Sequence, residues 1–178
     1  MTTGDVILVH GEKLLQRAIQ WFQGLIYTSG WRWNHAGLIV CFDGEPFVCE
    51  ATAKGIVFTP FKDFEGKDFI IGAPVQPIPD ELKDDIARFC LPHAGNVRYD
   101  FVNLLVEQPV KIISKELIGR EIWIGARNDK RATRRFICGE WVAYVYHRFF
   151  NCFENYPEID TCSIYNSGLF NWSKNQNP

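Results

Sequence analysis

Two apolar runs, residues 36–42 and 45–51, meet at Asp43-Gly44, the strongest short signal for a two-residue β-hairpin turn. That turn fixes a register. It sets Phe42 opposite Glu45, and stepping back along both arms sets Gly37 opposite Glu50 and His35 opposite Thr52. Side chains directly opposite share a face, and faces alternate along each strand. His35 and Glu50 therefore share a face as diagonal neighbours, about 7–8 Å apart between backbones and within reach of long side chains. A slip of one residue would separate them.

Around this hairpin the chain reads as α+β. Val6 to Val9 is a short buried strand, and Leu14, Leu15, Ala18, Ile19, Phe22 and Leu25 recur at helical spacing. Lys54-Gly55 makes a second turn before a strand over 56–59, and 69–73 adds another apolar run, so the expectation is an antiparallel meander. Pro79-Asp80 opens a helix through Leu82, Ile86 and Phe89. Residues 101–117 read as helical with a break at Pro109, and 119–135 as irregular and basic toward the end. A helix resumes from Phe136, with Trp141, Val142, Val145, Tyr146 and Phe149 as one stripe. Residues 166–178 read as a polar tail. The expectation is one domain over 1–178, with 101–135 as a lid or insertion.

Composition limits the function classes. Nineteen basic against twenty-one acidic residues, net charge −2, gives no footprint for nucleic acid or anionic lipid. No apolar run reaches the roughly 18 residues of a membrane span, and the start lacks the basic and apolar regions of a signal peptide. A cytoplasmic location follows as an expectation. The six cysteines show no Cys-x-x-Cys and no His cluster at zinc-ligand spacing, so no metal site is expected. Aromatic residues are abundant (6 Trp, 6 Tyr, 14 Phe), and Trp21, Phe22, Trp31 and Trp33 read as core and pocket wall rather than a membrane belt.

Two residues stand out for chemistry. A glutamate accepting the imidazole N–H fixes the tautomer of His35 and steadies its charged form; the plain alternative is a satisfied sheet histidine beside a solvated edge charge. Cys138 falls in the first turn of the late helix, where the macrodipole lowers a thiol pKa, and Gly139 beside it admits another backbone; the plain alternative is a buried helix cysteine. His147 stands nine residues beyond Cys138, about 14 Å along a helix and too far to serve it. His10 and His93 sit at element ends and read as surface residues.

The succession GDVILVHG, WNHAGLIV, CEATAKGIVFTPF, YDFVNLL and FICGEWVAYVY resembles the circularly permuted NlpC-type cysteine peptidases. It is nearest the YiiX/YaeF-like group, with lecithin:retinol acyltransferase-type enzymes as cousins. The likeness covers roughly 4–150 and is loose over 60–130. It implies a permuted papain-like fold, an antiparallel sheet packed against helices, in which the histidine strand comes first and the nucleophile helix last. Carried over by position, Cys138 is the nucleophile, His35 the base and Glu50 the third polar residue. Tyr99, before Asp100, lies near the substrate, and Trp33, bulkier than the family's usual small residue, reshapes the pocket. The family more often has Cys-Ser-Glu where this chain has Cys138-Gly139-Glu140.

The resemblance implies a cysteine-dependent amide hydrolase, a peptidase or amidase working through a thioester acyl-enzyme. Peptidoglycan-type peptides are the implied substrate class, and neither metal nor organic cofactor is needed. Such an enzyme without an export signal would act on recycled cytoplasmic muropeptides, leave by another route or travel in a virus particle. Two other readings stay open. One is a lipid acyltransferase or thioesterase using the same Cys138 and His35. The other is a non-catalytic binding module on the same fold. The expected partner is a small peptide or acyl substrate, with no nucleic acid and no stable membrane insertion; the oligomeric state is not legible in the sequence.

Overall fold

A computed structural model describes residues 1–12, 17, 20, 21, 23, 24, 27–99, 135–156 and 159–174. The chain is α+β. Its centre is a six-stranded sheet formed by β1 (Val6–Val9), β2 (His35–Phe42), β3 (Glu45–Thr52), β4 (Gly55–Pro60), β5 (Phe69–Pro74) and β8 (Phe170–Lys174). The spatial order is β4-β3-β2-β1-β5-β8, and every neighbouring pair is antiparallel. A second, two-stranded parallel ladder joins β6 (Arg98–Tyr99) to β7 (Arg135–Phe136).

The hairpin has the register that Asp43-Gly44 dictates: Phe42 pairs with Glu45 and Leu38 with Cys49. Asp43 and Gly44 both adopt positive φ, 50° and 82°, as a tight hairpin turn between right-twisted strands requires. The turn at Lys54-Gly55 likewise closes β3 on β4, with Thr52 opposite Gly55.

The meander does not continue as expected. β5 pairs with β1 rather than β4, so β1 lies inside the sheet between β2 and β5. The composition of β1 explains the placement. All four of its residues, Val-Ile-Leu-Val, are at most 5% exposed, and a strand apolar on both faces is stable only where neighbours pair its two edges and layers cover both faces. A second correction concerns the tail. Residues 170–174 form the edge strand β8 instead of trailing as polar coil. Phe170 and Trp172 alternate inward, Phe170 is buried, and the Trp172 indole stacks on Tyr165 with centroids 5.5 Å apart.

Among the described residues, the sheet is accompanied by the helices α1 (Asp80–Cys90), α2 (Cys138–Phe150) and α3 (Thr161–Asn166). The stripe read from the sequence on α2 faces the core: Trp141, Val142 and Val145 are fully buried, and Tyr146 is 4% exposed. These side chains pack with Ala36, Leu38, Cys49 and Ala51 from one face of β2 and β3. A smaller cluster, Ile7, Val9, Val48, Phe64 and Phe69, seals residues of the opposite parity. The helix starts later than its periodicity suggests, because 135–136 are extended and pair with β6. It stops at Asn151, which takes the left-handed conformation (φ 54°) that ends many helices. Of the early helix, residues 17, 20, 21, 23 and 24 are described and helical; the helix expected over 101–117 and the lid or insertion lie outside the described residues, apart from Arg135.

Candidate active site

His35 opens β2 opposite Val9 of β1. Glu50 lies on β3, one ladder position beyond the Leu38–Cys49 pair and opposite Val57 of β4. The diagonal between them carries a hydrogen bond from the imidazole Nε2 to Glu50 Oε2. Gly37 makes room for it. A Cβ at that position would stand 2.3 Å from Val48 Cγ1 and 3.5 Å from Glu50 Cβ, so a side chain there would collide with the pair's own wall.

Glu50 is 7% exposed, which excludes a solvated edge charge. Its second oxygen, Oε1, accepts the Thr59 hydroxyl at 2.6 Å. Burial alone would raise the carboxyl pKa. The hydrogen bond and charge of His35, then Thr59 and Lys67, more than reverse this and leave it below its ordinary value.

Cys138 is the first residue of α2 and 8% exposed. The preceding residue, Ile137, is extended, and its N–H donates to Glu140 Oε2 at 3.0 Å. Glu140 is fully buried. Its carboxylate thus settles one donor at the helix start and adds an acidic group where the macrodipole favours one. The N–H groups of Cys138 and Gly139 belong to the first turn, which has no intrahelical acceptor for them.

Cys138 and His35 meet. Burial would lower the imidazole pKa, but the Cys138 charge and hydrogen bond, followed by those of Glu50, outweigh it and raise the value to about 10. With Nε2 committed to Glu50, Nδ1 is the ring nitrogen free of that bond. Three residues from β2, β3 and α2 thus form a continuous chain of contacts, Glu50–His35–Cys138, with Thr59 behind it.

All six cysteines are free thiols. Burial pushes the thiol pKa of Cys49 up, helped by neighbouring Cys90, and does the same for Cys152; Cys162 is pushed up by burial and by Asp160.

The remaining candidates have other settings. Trp33 is 7% exposed and belongs to the main core, so its ring packs inside the fold. Trp21 (64%) and Trp31 (47%) are exposed, contrary to their reading as core and pocket wall; Phe22 lies outside the described residues. The backbone of Tyr99 pairs with Phe136, two residues before Cys138, while its side chain and Asp100 lie outside the described residues. His93 is half-buried, and its ring packs on Trp141 with centroids 5.2 Å apart. His10 is half-buried, with Nδ1 against Gln20 and the Arg32 carbonyl.

Sequence reasoning missed Thr59, although the signal was present. Carrying the register through Lys54-Gly55 sets Glu50 opposite Val57, and Thr59 is the next residue on that face. Gly139 admits a second backbone, as its lack of a side chain suggests. A Cβ there would stand 2.8 Å from the Ile159 carbonyl oxygen and 2.9 Å from the Asp160 carbonyl carbon.

No family model matches the chain, and no curated protein matches it in sequence. Among solved structures it is similar to the crystal structure of metalloprotein yiiX from Escherichia coli O157:H7. The TM-score is 0.67 and the identity 17%, over 97% of this chain and 96% of that one. In this chain, among the described residues, no three His, Cys, Asp or Glu side chains gather as a metal-ligand set. Nor is any described helix long and apolar enough to cross a membrane. The likeness is one of fold, and it establishes an α+β chain built like yiiX over nearly its whole length.

Proposed function

We propose that the chain is a cysteine-dependent amide hydrolase, a peptidase or amidase with the permuted papain-like arrangement of NlpC-type enzymes. Cys138 is its nucleophile, His35 its acid and base, and Glu50 the group that orients the imidazole. One observation carries the reading. A single imidazole hydrogen-bonds a buried carboxylate through Nε2 and lies close enough to a cysteine at a helix start for that cysteine to hold it charged. Nucleophilic catalysis needs this order of roles: an activated sulfur, a base within reach of it, and a third group holding the base.

His35 takes the thiol proton, giving a thiolate and an imidazolium. The thiolate attacks the amide carbonyl carbon. The developing oxyanion is met by the Cys138 N–H at the helix start, a donor already oriented and supported by the helix dipole. The C–N bond breaks as His35 returns its proton to the leaving amine, and a thioester remains on Cys138. Water then gives a proton to His35 and adds to the thioester; collapse releases the acid, and the thiolate re-forms beside the imidazolium. Glu50 holds the ring through both half-reactions without exchanging a proton. Peptidoglycan-type peptides are the substrate class that the family resemblance suggests.

The test is the pH dependence of alkylation, read residue by residue by mass spectrometry. Cys138 should react well below the ordinary thiol pKa of about 8.5, and His35→Ala should abolish that advantage. Inflection near 8.5 in the wild type, unchanged in His35→Ala, would refute the reading. Incubation with a cell-wall peptide and with a fatty-acyl thioester then separates amidase from acyl-lipid chemistry by the mass left on Cys138.

A further inference from the structure

The turn at 159–161, where α3 begins, touches both halves of the site while belonging to neither. Its backbone rests against Gly139, with the Ile159 carbonyl oxygen 2.8 Å from where a Cβ would stand. On its other side the Thr161 hydroxyl donates to the Trp33 carbonyl at 2.6 Å, two residues before His35. Thr161 is 3% exposed, and its oxygen accepts from Gln23 Nε2 at 2.9 Å. Both directions of the hydroxyl are therefore fixed.

The turn is itself anchored. Asp160 caps α3 by accepting the Ser163 N–H at 2.7 Å, and it also accepts the Tyr27 hydroxyl at 2.8 Å. Asn34 completes the entry to β2 through two hydrogen bonds with the Gly11 backbone, each 2.8 Å. No ladder links β2 to α2. Their relative placement comes from side-chain packing, from the Tyr146 hydroxyl donating to the Gly4 carbonyl at 2.6 Å, and from this turn.

We propose that Thr161 is a positioning residue whose hydroxyl, bridging Trp33 and Gln23, sets the approach of the His35 imidazole to the Cys138 sulfur. The inference rests on the reading of those two as base and nucleophile. It adds a residue to that reaction which contacts neither sulfur nor substrate and acts through the backbone on either side of the pair.

Thr161→Val keeps the shape and removes both hydrogen bonds, leaving the Trp33 carbonyl and the Gln23 amide unpaired. Iodoacetamide labelling of Cys138 at acidic pH should slow by about 10- to 100-fold, the scale of effect of a misplacement near 1 Å. The inflection of the labelling profile should move toward the ordinary thiol value of about 8.5. Thr161→Ser, which retains the hydroxyl, should keep the wild-type profile. A purely structural role would lower the melting temperature of Thr161→Val and leave the profile of the folded protein where it was; that result overturns the proposal. If Thr161→Val does not fold, Gln23→Met frees the hydroxyl from one partner and is read in the same way, an unmoved profile overturning it. A wild-type profile indifferent to His35→Ala would instead strike the nucleophile–base reading and take this proposal with it. An unmoved Thr161→Val profile in a protein that does respond to His35→Ala strikes the proposal alone.

Discussion

The imidazole of His35 is held charged by two neighbours, and their contributions can be separated. Cys138 supplies the two larger upward effects, charge then hydrogen bond, and Glu50 the two smaller; burial works against all four. Glu50→Gln preserves the geometry, since the new amide can accept from Nε2–H with its oxygen and donate to Thr59 with its nitrogen. What it loses is the charge. A hydrogen bond to a charged group contributes about 1.5–3 kcal/mol and a neutral one about 0.5–1.5. The difference between the mid-range values, about 1.2 kcal/mol, is about one pKa unit. His35 should then titrate about one unit below its value of about 10. Cys138→Ala removes the larger pair of effects and should lower the value further than Glu50→Gln does.

Histidine-selective isotope labelling with NMR titration reads these values directly, with His10, His93 and His147 assigned by substitution. Linkage supplies an independent check. The folded-state pKa of His35 lies above the unfolded value of about 6.5. Its contribution to stability is therefore fully present below that pH and is lost as pH rises through about 10. Denaturant midpoints of the wild type should fall across that window, and those of Cys138→Ala should fall less. A wild-type His35 titrating near 6.5, or a larger drop in Glu50→Gln than in Cys138→Ala, would refute the account of how the site is charged.

Two further outcomes follow from the same geometry. Thr59→Val removes the donor to Glu50 Oε1 and should cost about 1–3 kcal/mol in urea unfolding at neutral pH. Because the Glu50 pKa is lowered in the fold, its contribution is present above the ordinary carboxyl value and is lost as pH falls through the folded one. In the variant that loss should begin at higher pH, and an unmoved acid midpoint would contradict it. Gly139→Ser places a side chain against backbone that a Cβ would meet at 2.8 Å. Overpacking of this kind costs about 1–3 kcal/mol, or about 2–12 °C for a chain of this size, read by differential scanning calorimetry; an unchanged melting temperature would show that the 159–160 backbone yields freely.

What was legible in the sequence follows the range of the interactions. The Asp43-Gly44 turn is local and sets a register, so the His35–Glu50 diagonal could be derived from residue numbers alone. Lys54-Gly55 extends the same logic to Thr59. The position of Cys138 at a helix start could be read from periodicity, but nothing local says that this helix start reaches His35. Only the family resemblance brought the two together, and the contact between them rests on packing between segments about a hundred residues apart in sequence. The insertion of β1 between β2 and β5 was hidden for a related reason: an apolar four-residue strand reports that both faces are buried, not which strands flank it. β8 was hidden by its composition, because Asn171 and Ser173 on the outward positions mask the inward alternation of Phe170 and Trp172.

The site thus has two parts that differ in how they are held. Glu50, Thr59 and His35 stand on adjacent strands; the β3–β4 ladder sets Glu50 against Thr59 and the β1–β2 ladder holds His35 opposite Val9, with backbone hydrogen bonds that no single side-chain change removes. Cys138 is carried by a helix that rests on those strands through apolar contacts, with the turn at 159–161 wedged against Gly139. Apolar packing is non-directional and sets distance less sharply than a ladder does. Substitutions in the hairpin should therefore change the charge of the imidazole while leaving its place intact, whereas substitutions at the helix dock should change the sulfur–nitrogen approach. The narrow fit at Gly139 follows from this division. The β6–β7 ladder ends two residues before Cys138, the backbone of 159–160 supplies a hard stop beside it, and a side chain at 139 would occupy the space where that stop makes contact.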